Sequence, residues 1–488
     1  MMNNVKKFDN RNLTMMMDLY ELTMVNSLYK NIEKREQIVL FDVFYRKNPD
    51  NGGYAIFCGL EQILNYIDNF KFSNDDINYL SSLKIFDEDF LNYLLTFEMN
   101  VKITGFKEGT IIYPNEPILT IEGPMIQCQL LETLILTYVN HQSLIATKAS
   151  RIVRAAQGRS VADFGARRAH GPDAAIYGAR ASYIGGVNAT ATVLTGEMYN
   201  QIPVTGTMAH SYIMQAESEL DAFIEFADDY PNNCILLIDT YDTLKSGLPN
   251  AITTFNYLLD SGHQLTKYGI RIDSGDLAYL SKKCREALDA AGFNDAIIVV
   301  SNSLDEYTIK SLIEQGAQIN SFGVGERLIT AKSEPVFGAV YKLSGIVNSN
   351  GDIIPKIKIS NNIEKITNPG RKYVFRILNK DGYAIGDLIS SDKKISLDTV
   401  CVNPETPWHH FTFSDVRFEL LTEVLYIRND NKYYSISDGI DINSIKDYVS
   451  DQLNNIIWEE EQRFENPHRH TLYMTLDYYN MKLSLLQK

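Results

Sequence analysis

The residues with the clearest chemical potential form the run Gly206-Thr207-Met208-Ala209-His210-Ser211. The preceding residues, Ile202 to Thr205, have the pattern of a short strand, and helical spacing begins near Tyr212. We therefore expect His210 at the start of a helix, where unpaired backbone N–H groups and the helix dipole favour negative charge. A neutral imidazole beside such N–H groups can accept a phosphoryl group. The alternative is a partly buried structural histidine.

Further polar residues and glycines lie in or directly after other apolar, strand-like segments. In chain order these are Arg167, Arg168, Asp239, Arg271, Asp273, Ser274, Ser301, Asn302, Gly323 and Gly325. In α/β barrels the C-terminal ends of the strands form the active site, so we expect these residues on one rim. Each has an ordinary alternative when taken singly. Asp239 or Ser274 can cap a helix, Arg167 can pair with a surface carboxylate, and the glycines can serve turns.

Taken together, this set of residues fits an anionic, phosphorylated sugar. Arginines bind phosphate or carboxylate through two parallel hydrogen bonds, and Gly-rich turns bring backbone N–H groups close to phosphate. Asp239 or Asp273 can hold Mg²⁺ through water or accept hydrogen bonds from ribose hydroxyls. The sequence has no Gly-x-Ser-x-Gly nucleophile elbow, so acyl transfer is not indicated.

The elements that would position these residues alternate between strands and helices. Strands are predicted at Val161–Phe164, Ile202–Thr205, Cys234–Ile238, Gly269–Ile272, Ile297–Val300 and Ile319–Phe322, and Ala189–Leu194 fits a strand or a short helix. Helices are predicted at Pro172–Ile184, Tyr212–Ala227, Asn250–Leu259, Asp276–Ala291 and Asp305–Gln315. This alternation predicts parallel strands in an α/β barrel. No strand is followed by Gly-x-Gly-x-x-Gly, which disfavours a dinucleotide-binding fold.

The flanking regions follow other patterns. Residues 1–127 predict an α+β domain, with helices at Met16–Tyr29 and Leu60–Phe70 and strands at Ile38–Tyr45, Val101–Thr104, Thr110–Tyr113 and Ile118–Ile121. A long helix is predicted at Gln127–Ala156. After Tyr341, strands in Ile354–Leu397 and helices at Ser444–Glu461 and Leu472–Leu486 predict a C-terminal domain. The predicted division is 1–127, a barrel domain at 128–340, and 341–488.

Length, charge and cysteine usage limit the class of protein. The 488 residues exceed what one core usually supports. The net charge of −15 argues against a general surface for nucleic acid or anionic membrane. No apolar run is long enough to span a bilayer, and residues 1–10 lack the apolar stretch of a secretory signal. The five cysteines show no metal-ligand spacing and are typical of reduced thiols, so we expect a cytoplasmic protein.

Several of these motifs, in this order, make the chain resemble the nicotinate phosphoribosyltransferase family over nearly its full length. The matching segments are Asp18–Met24, Phe44–Pro49, Gly52–Phe57, Phe164–Arg168, Gly206–Ser211, Ile270–Asp276, Phe322–Gly325 and Pro369–Lys372. The resemblance implies an irregular, incomplete α/β barrel of the type II phosphoribosyltransferases, with a split N-terminal domain and a homodimeric assembly. It implies formation of nicotinate mononucleotide and pyrophosphate from nicotinate and 5-phosphoribosyl 1-pyrophosphate, in salvage synthesis of NAD (the Preiss-Handler route).

The resemblance also implies roles for individual residues. ATP is the implied co-substrate, and its hydrolysis is coupled through a phosphohistidine at His210. Tyr20, Thr207 and Arg271 are implied to bind nicotinate. We expect Asp273 and Arg271 to act with His210 in catalysis. The remaining candidates are expected to bind substrate, with Arg167 and Arg168 facing the phosphoribosyl substrate or the nicotinate carboxylate; they are Arg167, Arg168, Ser211, Asp239, Ser274, Ser301, Asn302, Gly323, Gly325 and Thr330.

Glu326 departs from the family pattern, because some members have threonine directly after this Gly-x-Gly. A carboxylate is unfavourable beside a phosphate, so we expect the side chain of Glu326 to point away and Thr330 to make the phosphate contact.

Three alternatives stay open. A nicotinamide phosphoribosyltransferase would need a hydrogen-bond acceptor for the amide where nicotinate needs a cation such as Arg271. A quinolinate phosphoribosyltransferase would use no ATP and would need more basic residues for its two carboxylates. A barrel without catalysis could bind a phosphorylated metabolite and act through partners.

Overall fold

The computed structural model describes residues 11–362, 365–429, 432–436 and 441–487. The chain forms two compact units, which we call the barrel unit, built on residues 148–335, and the two-segment unit, built on residues 7–147 and 336–488. The helix Glu132–Ala155 contains one of the boundaries between them. These boundaries differ from those of the three domains predicted from the sequence, and that division stays a prediction.

The described strands of the barrel unit form one parallel sheet. In spatial order its six strands are Ala189–Thr190, Ser160–Asp163, Ser321–Val324, Ile297–Ser301, Tyr268–Ile272 and Cys234–Leu237. Neighbouring strands pair in parallel register, which places Arg271 opposite both Val299 and Leu237. Within the described residues the two outer strands do not pair with each other, so the sheet is an incomplete α/β barrel, as predicted.

The predicted strand at Ile202–Thr205 is wrong in extent. In the structure this segment forms a single parallel bridge, between Val204 and Thr190. Thr190 donates to the carbonyl of Pro203 at 3.0 Å and accepts from the N–H of Thr205 at 2.9 Å. Pro203 has no N–H to donate, and this limits the ladder to one bridge. At Ala189–Leu194, where the sequence fitted a strand or a helix, both form in turn: Ala189–Thr190 and Val193–Met198.

Helices of the barrel unit separate its strands. They are Pro172–Ile184, Val193–Met198, His210–Met214, Glu219–Asp229, Leu248–Asp260, Leu277–Ala290, Glu306–Glu314 and Glu326–Ile329, with a 3-10 turn at Ala166–Arg168 and a π turn at Thr243–Gly247. The single helix predicted at Tyr212–Ala227 is therefore wrong. Two helices occupy this segment, because Ser218 caps a new helix by accepting the N–H of Asp221 at 3.1 Å.

A buried charged cluster fixes the helix that follows the strand Ile297–Ser301. The carboxylate of Glu306 is fully buried and lies 2.9 Å from both Lys148 Nζ and Arg151 Nε. Lys148 also donates to the hydroxyl of Ser333 at 2.8 Å. Removal of one member of such a cluster leaves an unpaired buried charge, which costs about 3–5 kcal/mol. The cluster therefore holds the start of this helix in place, directly after the loop 302–305.

The strands described in the two-segment unit form three sheets. The largest is antiparallel, with strands in the order Ile353–Pro355, Val340–Val347, Ile38–Phe44, Leu119–Pro124, Val101–Gly105, Glu423–Asn429 and Lys432–Ser435. The second has the order His410–Phe411, Cys401–Val402, Leu472–Thr475, Ala384–Ser390, Tyr373–Leu378 and Arg417–Leu420. Ala55–Ile56 pairs with Ile111–Ile112 in a separate short ribbon. The α+β and β-rich characters predicted for the flanking regions are thus confirmed, although the helix predicted at Leu472–Leu486 begins with a strand.

The two-segment unit also contains several short helices besides the first part of Glu132–Ala155. They are Leu19–Tyr29, Ile32–Arg35, Leu60–Asn69, Asn74–Ser82, Glu88–Thr96, Met125–Gln129, Ile442–Asp451 and Leu476–Leu486, with 3-10 turns at Leu13–Met15, Pro49–Asn51 and Glu459–Gln462 and a π turn at Gln452–Ile456. All five cysteines are buried with free thiols. Among the described residues, no helix is both long enough and apolar enough to cross a membrane.

A buried polar network ties the C-terminal segment to the second sheet. Arg376 donates to both carboxylate oxygens of Asp387, at 3.0 and 2.9 Å. His470 lies 3.5 Å from Asp387 and 3.2 Å from Glu461, and its ring stacks on Tyr113 with 3.5 Å between centroids. Burial opposes a charge on His470, but the two carboxylates outweigh this effect and raise the pKa of His470. His470 therefore has a structural role in this network.

Candidate functional site

Seven of the predicted site residues meet near the C-terminal ends of three neighbouring strands, in what we call the strand-end cluster. Its members are Thr207, His210, Asp239, Thr240, Arg271, Asp273, Ser274 and Ser301. Arg271 lies at its centre, since it donates to Ser301 at 3.1 Å, to the carbonyl of Met208 at 3.3 Å and to Thr207 at 3.4 Å. Its guanidinium carbon lies 5.5 Å from the ring centre of Phe164. The arginine is therefore held in one orientation, with only 13% of its side chain exposed.

Two carboxylates connect the ends of adjacent strands in this cluster. Asp239 accepts the backbone N–H of Asp273 at 2.9 Å and the hydroxyl of Ser274 at 2.6 Å through Oδ2. Asp273 accepts the hydroxyl of Ser301 through Oδ1, which also lies 3.4 Å from Arg271. The alternative role of Asp239 or Ser274 as a helix cap is excluded, because Asp242 and Asp276 cap the helical turns that follow.

His210 is positioned by two side chains of the strand-end cluster. Its Nδ1 is hydrogen-bonded to Oγ1 of Thr240 at 3.0 Å, and its Nε2 lies 3.9 Å from Asp273. The imidazole is 40% exposed, so solvent and substrate can reach it. It begins a helix of only five residues, His210–Met214. The dipole of so short a helix is weaker than the sequence suggested, and the neighbouring side chains contribute more to the environment of His210.

A second group of predicted residues lines an open cleft of about 380 Å³, which we call the basic cleft. Its lining residues are Arg168, His170, Glu326, Thr330, Lys332 and Pro335. Arg168 comes from the 3-10 turn after the first strand of the unit, whereas the others, except His170, follow the strand Ser321–Val324. The cations of Arg168 and Lys332 suit an anion, and Glu326 opposes them.

The expectation that Glu326 points away from the basic cleft is wrong. Its carboxylate lies 2.5 Å from Lys332 Nζ and 3.9 Å from Arg168 Nε. The hydrogen bond from Lys332 is the largest of several effects that lower the pKa of Glu326. Thr330, the expected phosphate contact, lines the cleft but donates its hydroxyl to the carbonyl of Glu326 at 2.8 Å. Local ion pairing thus decides the direction of the glutamate.

Gly323, within the strand Ser321–Val324, and Gly325, directly after it, allow close packing. A Cβ on Gly323 would lie 2.5 Å from the ring of Phe164, and a Cβ on Gly325 would lie 3.2 Å from the carbonyl of Phe164. Asn302, in the loop after the neighbouring strand, has a φ of 93°, which is rare for a residue other than glycine. Strain of this kind costs about 1–3 kcal/mol and is commonest at functional sites.

The structure does not bring every predicted residue into these two groups. Arg167 and Ser211 are exposed, and Arg167 has no ion pair within the described part of the chain. Its alternative role in a surface ion pair therefore has no support. Tyr20 belongs to the two-segment unit, where burial and the nearby Glu132 raise its pKa.

Sequence reasoning missed several residues of the site. Asp163 ends the strand Ser160–Asp163, is buried, and accepts the N–H of Gly165 and the hydroxyl of Thr190, each at 2.8 Å. Burial raises its pKa despite these bonds. Apolar residues flank Asp163, so the sequence predicted an ordinary position inside a strand. A carboxylate at the end of a buried strand could have marked it as a candidate. The sequence did not single out Thr240, because its partner His210 lies 30 residues away. It did not single out Lys332, because its partner Glu326 lies in the short helix before it.

A magnesium ion fits the strand-end cluster only with help from substrate oxygens. No group of three His, Cys, Asp or Glu side chains that could hold a metal occurs among the described residues. However, Oδ1 of Asp239 is buried and has no hydrogen-bond partner within the described structure. Mg²⁺ commonly uses one or two carboxylates together with water and substrate phosphates, so Asp239, with Asp273 beside it, suits this mode.

Comparison with known proteins identifies relatives over the whole chain. Family models for the N-terminal and C-terminal domains of nicotinate phosphoribosyltransferase match residues 15–140 and 371–482. The chain is 40% identical to nicotinate phosphoribosyltransferase of Bacillus subtilis, over 99% of this chain and 96% of the relative. Identity to that of Caenorhabditis elegans is 34%, over 92% and 89%. The crystal structure of human nicotinic acid phosphoribosyltransferase has a similar fold, with a TM-score of 0.82, 24% identity, and coverage of 96% and 99%.

Proposed function

Because the chain belongs to the nicotinate phosphoribosyltransferase family, we propose that it forms nicotinate mononucleotide and pyrophosphate from nicotinate and 5-phosphoribosyl 1-pyrophosphate, with ATP hydrolysis coupled through phosphorylation of His210. The observation that carries the proposal is the strand-end cluster. It combines a fixed cation, two carboxylates and an accessible histidine within one network of contacts. The product would enter NAD synthesis by salvage of nicotinate.

Arg271 is the group that would select nicotinate. Its Nε and Nη1 atoms are held by Ser301, Thr207 and Met208, so the guanidinium is preorganised. A preorganised guanidinium binds a carboxylate through charge-assisted hydrogen bonds, which are worth about 1.5–3 kcal/mol each. The ring of Phe164, beside the arginine, offers an apolar surface for the pyridine. Nicotinamide, which lacks the negative charge, would lose the electrostatic part of this contact.

Bond making at the ribose would require little covalent help from the protein. The pyridine nitrogen is the nucleophile and needs no general base, and the leaving group is pyrophosphate. Asp239 and Asp273 can accept hydrogen bonds from ribose hydroxyls and orient the sugar. Mg²⁺, when bound with the substrate, would neutralise charge on the leaving pyrophosphate. The basic cleft, with Arg168 and Lys332, would hold a further phosphate group.

His210 would act as acceptor of the γ-phosphoryl group of ATP. The bond from phosphorus to imidazole nitrogen forms as the bond from phosphorus to the bridging oxygen breaks, and ADP leaves. The phosphohistidine adds about 1.5–2 negative charges near neutral pH if it behaves like other phosphorylated side chains. This charge, entering the cluster that contains Asp273 and Arg271, would reorganise it and tighten substrate binding.

The test is to measure ADP and mononucleotide formation with Mg²⁺, ATP and 5-phosphoribosyl 1-pyrophosphate, adding nicotinate or nicotinamide in parallel. We expect both products to rise together with nicotinate alone. His210→Ala should abolish the coupled ATP hydrolysis and leave weak synthesis that does not depend on ATP. His263→Ala is the matched control, because His263 is an exposed histidine of the same unit. Coupled ATP hydrolysis by His210→Ala would contradict the assignment of His210, and product from nicotinamide would contradict the substrate.

A further inference from the structure

The basic cleft contains its own anion. Among its lining side chains, Arg168 and Lys332 are cations, and the carboxylate of Glu326 contacts both of them. All three side chains are partly exposed, by 65%, 57% and 42% respectively, so an incoming molecule can reach each of them. A phosphate entering the cleft would therefore meet cations that are already paired.

We infer that Glu326 is an internal counter-ion, which competes with a phosphate group of the substrate for Lys332 and Arg168 and so lowers the affinity of the basic cleft for anions. The inference rests on the proposed function for the identity of the substrate. Its physical basis is local: one carboxylate neutralises part of the charge of two cations, and it must leave or tolerate a phosphate at close range.

The local backbone places Glu326 and Lys332 side by side, so the glutamate and an incoming phosphate compete for the same lysine. Glu326 is the first residue of the short helix Glu326–Ile329, and Lys332 follows in the next turn, so both side chains emerge on the same side. The carbonyl of Glu326 accepts the hydroxyl of Thr330, which fixes the backbone beneath the carboxylate. The carboxylate stays ionised well below neutral pH, because Lys332 lowers its pKa. The glutamate therefore opposes anion binding throughout the physiological range.

The decisive experiment is direct binding to Glu326→Gln, which keeps the size of the side chain and removes its charge. Calorimetry on the full chain, without nicotinate or ATP, would use three probes: inorganic phosphate, pyrophosphate, and 5-phosphoribosyl 1-pyrophosphate with Mg²⁺. Exposed ion pairs are weak, so release of two cations should tighten binding by only about 2- to 30-fold. If Glu326→Gln binds phosphate and the full substrate more tightly but pyrophosphate no more tightly, the cleft binds the phosphate monoester of the substrate. If it binds pyrophosphate more tightly, the cleft binds the diphosphate.

Two further variants make the measurement specific. Glu314→Gln is the matched control, because Glu314 is an exposed carboxylate of the same unit that also pairs with a lysine, Lys310, at 3.8 Å. It should leave all three affinities unchanged. In a Lys332→Gln background, the gain from Glu326→Gln should shrink, since the main cation that it releases is absent. Unchanged or weaker binding by Glu326→Gln, or an undiminished gain without Lys332, would overturn the inference.

The binding assay separates this inference from the proposed function. If the protein made no mononucleotide but Glu326→Gln bound the probes more tightly, the counter-ion role would be supported and the proposed reaction would be wrong. If the reaction occurred but the variant bound the probes no more tightly, the proposed function would be supported and the counter-ion role would be wrong.

Discussion

Asp273→Asn is the sharpest test of how the strand-end cluster supports a charge on His210. Asparagine keeps a carbonyl oxygen that can accept the hydroxyl of Ser301, so the variant preserves shape and removes one negative charge. The carboxylate lies 3.9 Å from Nε2 of His210. If the phosphoryl group joins Nδ1, Nε2 keeps its hydrogen toward Asp273 and the ring carries positive charge beside this carboxylate, while the phosphoryl charge lies on the other side of the ring. Asp273 would stabilise that positive charge.

The expected size of the effect follows from this distance. Two unit charges 3.9 Å apart interact by about 4 kcal/mol at an effective dielectric constant of 20. The two side chains are 40% and 26% exposed, and solvent screening at such exposure reduces the interaction to about 1–2 kcal/mol. This free energy corresponds to a loss of about 5- to 30-fold in the equilibrium level of phosphoenzyme.

The assay is the yield of phosphoenzyme from ATP labelled in its γ-phosphate, titrated with ATP for each variant. Asp260→Asn is the control, because Asp260 is an exposed carboxylate at the end of the helix Leu248–Asp260, and its removal changes the net charge equally. We expect a loss for Asp273→Asn only. A yield equal to that of the unchanged protein would refute the view that Asp273 stabilises the charged imidazole.

Two further predictions concern specificity and pH. Arg271→Lys should raise the KM for nicotinate by about 10- to 100-fold, because lysine cannot reproduce the two-pronged contact of a preorganised guanidinium. Any weak use of nicotinamide should change little. Steady-state kinetics with both substrates would check this, and an equal effect on both would contradict it. His470→Gln should cost about 1–3 kcal/mol of unfolding free energy at pH 6. Because the folded pKa of His470 is raised, its charged-state stabilisation is complete below its unfolded pKa of about 6.5 and is lost as pH rises through the folded pKa. Urea unfolding of both proteins should therefore show a smaller difference at pH 9, and a constant difference would mean that the charge of His470 contributes nothing.

Much of the barrel unit could be predicted because its elements are encoded locally. The helix Pro172–Ile184 has the bounds predicted from the sequence. Asp276 and Asp305 cap the helices Leu277–Ala290 and Glu306–Glu314, which begin one residue after their predicted starts. Such signals lie within a few residues of the element that they start or end, so periodicity and capping residues suffice to find them.

Segments whose structure depends on distant partners were predicted less well. Leu472–Thr475 has an apolar pattern that fits a helix, yet it forms a strand between Ala384–Ser390 and Cys401–Val402. At Ile202–Thr205 the reverse occurs, because only one residue finds a bridge partner. Local propensity cannot decide such segments, since the free energy comes from pairing with residues far along the chain.

The sequence by itself determined the order of strands and helices, the rim on which polar residues follow the strands, and the motifs that mark the family. Only the tertiary structure decided which of those residues act together. Thr240 meets His210 across 30 residues, and Arg271 meets Thr207 across 64. In the tertiary structure, Glu326 also points into the basic cleft, toward Arg168 from another loop. Short-range patterns fix backbone conformation, whereas charge pairing and hydrogen bonding act through space, so these contacts exist only once the strands lie side by side.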